Sequence, residues 1–185
     1  LNLDLTDCIL NVSGNGTLRA CLDTPVCEIV GIDFAGLGDT RTCSVLRLDN
    51  SAETGTDLIL TSCRFAGFNG SYSDGGSCLS AVNGNGLSIG LVDCEFEGNQ
   101  TGRRGGAIHA GDGFVVTITG GRFHDNMTTT GMSSEPFGGA ISIDSPTSPT
   151  HLALDGTVFT DNRSALIGGT ICVMDGSLSA QSIRL

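Results

Sequence analysis

Short apolar bursts recur along this chain, and most carry β-branched residues or alternate with polar ones. Leu58-Ile59-Leu60, Leu87-Ser88-Ile89, Val115-Val116-Thr117-Ile118 and Leu152-Ala153-Leu154 are the clearest. No segment keeps a helical period for three turns, so these bursts predict strands. Asn83-Gly84, Asn85-Gly86, Asp112-Gly113 and Asp175-Gly176 punctuate them. Such dipeptides tolerate positive φ and mark tight corners.

A larger unit is laid over this pattern. Its clearest copy spans 94–109: a Phe with Asn three residues later, a short polar loop, then Gly-Gly-small-Ile. It returns as Phe123/Asn126 with 138–141 and as Phe159/Asn162 with 168–171. Looser copies read Phe65, Phe68-Asn69 with 75–78, and Phe34 with 40–43. With Phe as phase marker, the equivalent positions are Leu10, Phe34, Phe65, Phe96, Phe123, Phe159 and Leu185, a mean spacing near 29 residues.

One such unit cannot bury its apolar face alone, so the copies must stack. Five residues separate Asn69 from Gly75, Asn99 from Gly105 and Asn162 from Gly168, but eleven separate Asn126 from Gly138. Fixed anchors with one elastic loop describe an all-β parallel β-helix of about six coils, a rod roughly 29 Å long at the ladder spacing of ~4.8 Å. Propeller blades need about 40 residues, and leucine-rich repeats need their own pattern. Residues 1–33 read as less regular coils and 34–185 as the regular solenoid. Segment 178–185 matches 152–159 in phase, an expectation that the coils continue or abut another subunit.

Composition narrows the setting. Gly is 28 of 185 residues, Trp is absent and the net charge is −11. That acidity excludes nucleic acid and anionic membrane as natural partners. No apolar run approaches the ~18 residues of a membrane span, and the first residues carry no signal-peptide pattern. Eight Cys and six N-x-Ser/Thr sequons, at Asn11, Asn15, Asn69, Asn99, Asn126 and Asn162, point to an extracellular or cell-surface glycoprotein. The alternative is that these are turn residues. For Asn99, Asn126 and Asn162 the fixed spacing to Phe favours a buried amide ladder over a glycan.

Phe-x-x-Asn paired with Gly-Gly-Ala-Ile at about 30 residues resembles the repeats of the chlamydial polymorphic outer-membrane proteins. The likeness covers roughly 65–172. It implies a right-handed, pectin-lyase-like β-helix on a cell surface, serving adhesion or a structural shaft.

Phase assigns the remaining chemistry. Cys63 and Cys94 both stand two before Phe, and Cys43 and Cys78 both fall on the Ile position. Stacked neighbours lie within disulfide range, so bridges Cys63–Cys94 and Cys43–Cys78 compete with a column of free thiols. Cys21 and Cys27 bracket Asp23-Thr24-Pro25 and are a third candidate bridge, closing a local loop. Cys172, after inward Ile171, should face outward. Phe65, Phe96, Phe123, Phe159, Ile108, Ile141 and Ile171 form the expected core ladder. No Cys-x-x-Cys or Cys/His cluster points to a metal, and no cofactor is expected.

Asp125 and Asp161 occupy matching positions, a separation near 5 Å that a retaining glycosidase would use. Asp at a corner is ordinary turn chemistry, and no Arg or Lys is expected to flank the pair. The three His residues, 109, 124 and 151, read as solvated. The insert 127–137, with Met127, Met132 and Phe137, is a contact loop, joined by the basic doublet Arg103-Arg104.

The sequence therefore points to a non-enzymatic surface module, a structural or adhesive shaft within an assembly or filament. Its partners would be protein subunits or cell-surface glycans. A bacterial autotransporter passenger adhesin is the second reading, and a polysaccharide lyase or hydrolase the third.

Overall fold

The computed structural model describes residues 9–12, 26–36, 40–41, 44–49, 57–70, 75–130 and 136–185. Every regular element among them is a strand, and every pairing between strands is parallel. The strands form four sheets, each built by taking one strand from every coil.

The first sheet runs Val26–Val30, Asp57–Thr61, Ser88–Val92, Val115–Thr119, His151–Asp155 and Ser177–Gln181. The second runs Ile9–Val12, Asp33–Gly36, Arg64–Ala66, Glu95–Glu97, Arg122–His124 and Val158–Thr160. The third has only two-residue strands: Thr40–Arg41, Asn69–Gly70, Gln100–Thr101, Met127–Thr128 and Arg163–Ser164. The fourth takes Leu46–Asp49, Leu79–Val82, Ile108–Ala110, Ile141–Asp144 and Ile171–Met174. The fold is thus a parallel β-solenoid. Five coils carry a strand on every side, one fewer than the spacing predicts, with Ile9–Val12 before them and Ser177–Gln181 after.

Register follows the phase markers. Leu10 pairs with Phe34, Phe34 with Phe65, Phe65 with Phe96, Phe96 with Phe123 and Phe123 with Phe159. From Phe34 onward the rings stack almost parallel, with centroids 4.5, 5.0, 4.7 and 5.0 Å apart. All five are buried. Burying each contributes about 1.5–3 kcal/mol over leaving it exposed, so this column is the chain's main apolar spine. Leu58, Ile89, Val116 and Leu152 form a second buried column, and Leu60, Leu91, Ile118 and Leu154 a third. Opposite them stand Leu46, Leu79, Ile108, Ile141 and Ile171, the last partly exposed.

The coil bends because one residue per corner takes left-handed backbone. After the first sheet that residue is Gly31, Ser62, Asp93, Gly120, Gly156 or Ser182, with φ from 50° to 66°. A side chain there costs energy, and Gly, Asp, Asn and Ser are the residues that meet the geometry most cheaply or bond locally. The next corner repeats the device with Gly67, Gly98, Asp125 and Asp161.

Ladder hydrogen bonds correct two alignments. Leu79, not Cys78, pairs with Ile108 and Leu46. Gly76 therefore lies at the level of Gly105, and Cys78 falls beside Ala107 and Val45. Matching Gly-Gly by type placed the motif one residue early. Similarly Asn69 pairs with Gln100, which in turn pairs with Met127, so Phe68 occupies the position that Asn99 and Asn126 hold one and two coils later.

Candidate functional site

The Asn of the motif lies inside the coil. Asn99 and Asn126 are fully buried and Asn162 partly so. Asn99 Nδ2 donates to Asn126 Oδ1 at 3.0 Å, and Asn126 Nδ2 donates to Asn162 Oδ1 at 2.9 Å. The second amide hydrogen of each goes to the carbonyl of a Phe, that of Phe65, Phe96 or Phe123, at 2.9 Å. Each Oδ1 also takes a backbone N–H, from Phe68, Asn99 or Asn126 respectively. This is a continuous amide ladder across three coils, with nearly every buried polar valence used. Asn99 and Asn126 are thereby corrected as glycan candidates, since no glycosylated side chain can occupy that space. Asn162 is committed to the same ladder. Asn69 is partly exposed on the outer face. Asn15 and the side chain of Asn11 lie outside the described residues.

The fourth sheet is covered on both faces. Ser80, His109 and Ser142 are buried although they point away from the apolar columns, and Cys172 follows them in register. The glycine arc preceding each strand passes over them. A Cβ on Gly75 would stand 2.8 Å from His109 Cγ, and one on Gly168 2.7 Å from Cys172 Cβ. Two expectations are overturned: His109 is not solvated, and Cys172 does not face solvent. Alternation alone cannot reveal a second cover that comes from a loop. Arg104 lies under the same edge, its guanidinium bonded to the Asp144 carboxylate with both side chains mostly buried. The doublet thus supplies an internal ion pair through Arg104 in place of an exposed basic patch.

Asp125 and Asp161 do come together in phase, one coil apart at the left-handed corner. Both are exposed, and the expectation that no Arg or Lys flanks them is overturned by Arg163, which stands two residues after Asp161 and lies beside Asp125 of the preceding coil. Arg163 Nη2 lies 3.5 Å from Asp125, and His124 Nδ1 lies 3.6 Å from Asp161. The positive φ at each position explains Asp as turn chemistry.

Two residues assigned to the contact loop belong to the coil. Met127 opens the third-sheet strand Met127–Thr128 and pairs with Gln100 and Arg163. Phe137 bridges Arg104 on one side and Ile167 on the other. The extruded part of the loop is shorter than 127–137, and Met132 lies outside the described residues.

Among the described residues, Cys27, Cys63, Cys78, Cys94 and Cys172 are free thiols. The bridges placed at Cys63–Cys94, Cys43–Cys78 and Cys21–Cys27 are therefore not formed in this structure. Cys43 and Cys21 lie outside the described residues. Cys63 and Cys94 are in register and buried. The adjacent Cys94 thiol draws Cys63 down to about 7 against the opposing effect of burial, while Cys94 is pushed up. Burial alone raises Cys78.

Residues 93–111 match the family model of the Chlamydia polymorphic membrane protein (Chlamydia_PMP) repeat. The matched stretch holds Phe96, Asn99 and 105–108, the residues whose columns are described above. A repeat of membrane proteins agrees with a surface location in coarse terms. No curated protein and no solved structure matches the chain.

Proposed function

We propose that these coils are a non-enzymatic surface module, a stiff shaft with adhesive contacts on its outer faces. One observation carries this reading: the motif residues are taken up by coil-to-coil contact. Phe96 and Asn99 lie in the core, and the paired glycines press backbone on backbone. A motif used in this way builds a shaft and leaves binding to the outward side chains and loops. The partners this fits are protein subunits or surface glycans.

Within that reading, a bacterial autotransporter passenger gains ground over a glycosylated surface module. The matched repeat is chlamydial by description, and three of the six sequons are bound into the amide ladder.

Cell-binding and glycan-array measurements on the full chain test the proposal. Saturable binding without breakdown of the bound glycan supports it. Polysaccharide cleavage that disappears in Asp125→Asn or Asp161→Asn overturns it in favour of an enzyme. Absence of binding to cells, glycans and isolated surface protein overturns the adhesive part.

A further inference from the structure

We propose that Cys63 and Cys94 are an oxidisable dithiol that closes into a disulfide between successive coils. The pair is singled out by register. Thr61 pairs with Val92 and Phe65 with Phe96, so the same offset of 31 residues brackets the two cysteines on both sides. The Glu95 N–H donates to the Cys63 carbonyl at 2.9 Å, which fixes the rung between them. Parallel neighbours lie ~4.8 Å apart at Cα, and a disulfide accepts about 4.4–6.8 Å.

The other described cysteines lack such a partner. Cys27 lies beside Leu58, Cys172 beside Ser142, and Cys78 between Val45 and Ala107.

The two thiols hold the same pose. Cys63 Sγ donates towards the carbonyls of Ile29 and Thr61 at 3.4 and 3.5 Å. Cys94 Sγ does the same towards Leu60 and Val92, at 3.4 and 3.5 Å.

The oxidant is a low-molecular-weight disulfide. The Cys63 thiolate attacks one of its sulfurs, forming a mixed disulfide and releasing one small thiolate. Cys94 then loses its proton and attacks the Cys63 sulfur, releasing the second small thiolate. Two protein thiols are oxidised to one disulfide, and one small disulfide is reduced to two thiols, which take up the two protons. Cys63 suits the first role because the adjacent Cys94 thiol favours its ionised form. Both thiols are buried, so exchange proceeds through local opening of the rung and should accelerate in mild urea.

The full chain, reduced and then equilibrated with oxidised glutathione, tests this. Remaining thiols are alkylated, and unreduced digests are read by mass spectrometry. Trypsin leaves Cys78 and Cys94 in one peptide, so a second, chymotryptic digest separates them. The expected result is a Cys63–Cys94 linked peptide and a melting temperature that falls when dithiothreitol is added. Cys94→Ser should trap glutathione on Cys63 and lose the melting shift. Alkylation of both Cys63 and Cys94 after oxidation, or linkage of either to another cysteine, overturns the proposal. If the serine variant does not fold, the wild-type peptide map alone decides between these outcomes.

Discussion

Asn126 hands one amide hydrogen to the side-chain oxygen of Asn162, 2.9 Å away, and the same oxygen receives the Asn126 backbone N–H at 3.0 Å. Two adjacent coils are therefore joined through one side-chain atom. Asn126 repeats the arrangement on its other side, where its own oxygen serves Asn99.

Truncation of Asn126 should accordingly be among the costliest single changes in the chain. Asn126→Ala removes four hydrogen bonds and strands buried groups of Asn99 and Phe96. At ~1 kcal/mol for each bond, with a further penalty for stranded partners, the loss is about 3–5 kcal/mol. Asn162→Ala should cost roughly half of that, because its end of the ladder is partly open to water. Urea denaturation of both variants measures the two losses. Equal losses would show that the ladder is not what sets them.

The spine was legible in the sequence because it needs only phase. A bulky ring at a fixed place in each repeat has one way to be buried, and the columns from Phe34 to Phe159 follow. The Asn ladder was legible for the same reason, since its distance to Phe does not vary at 96, 123 and 159. Alignments failed where residue type was matched without ladder register, as at Cys78 and Asn69. The buried setting of His109 was hidden for another reason. Its cover is glycine backbone from an arc some thirty residues away, and glycines carry no hydrophobic signal.

The paired glycines supply a sharper test, because the same motif position meets different surroundings in successive coils. A Cβ on Gly106 would fall 2.0 Å from the Gly139 carbonyl oxygen, while one on Gly169 meets nothing within 4 Å. Neither position has positive φ, so conformational strain does not blur the comparison. Gly106→Ala should lose about 3 kcal/mol or more, since backbone must shift to admit the methyl group. Gly169→Ala should stay within about 0.5 kcal/mol of the parent. Thermal melts of the pair decide it.

Two buried serines should respond to alanine with opposite signs. Ser77 Oγ donates to the Gly106 carbonyl at 2.6 Å, whereas Ser142 Oγ has no partner among the described residues. Ser77→Ala removes a bond and strands an acceptor, a loss of about 1–2 kcal/mol. Ser142→Ala removes an unsatisfied hydroxyl and should raise stability by about 1 kcal/mol. Destabilisation by Ser142→Ala would mean that its hydroxyl has a partner that matters.

The outer face of the second sheet sets the response to acid. Arg64 stands among three carboxylates, 2.6 Å from Glu97, 3.3 Å from Asp33 and 3.5 Å from Glu95. Its hydrogen bond to Glu97 holds that carboxyl below the usual carboxylate range, with burial opposing. A group whose folded pKa is depressed contributes stability above its unfolded value, near 4.3, and loses it as pH falls through the folded pKa. These side chains are 37–41% exposed, so solvent and salt screening reduce the effect to a small fraction of what such a contact would give in a dry interior. Arg64→Gln should therefore lower the urea midpoint measurably at pH 7 and low salt. The gap from the parent should narrow below about pH 4 and also close in about 1 M salt. A gap that persists unchanged at pH 3 would mean that Arg64 acts through packing of its aliphatic stem, with the ion pairs to Glu97 and Asp33 contributing nothing.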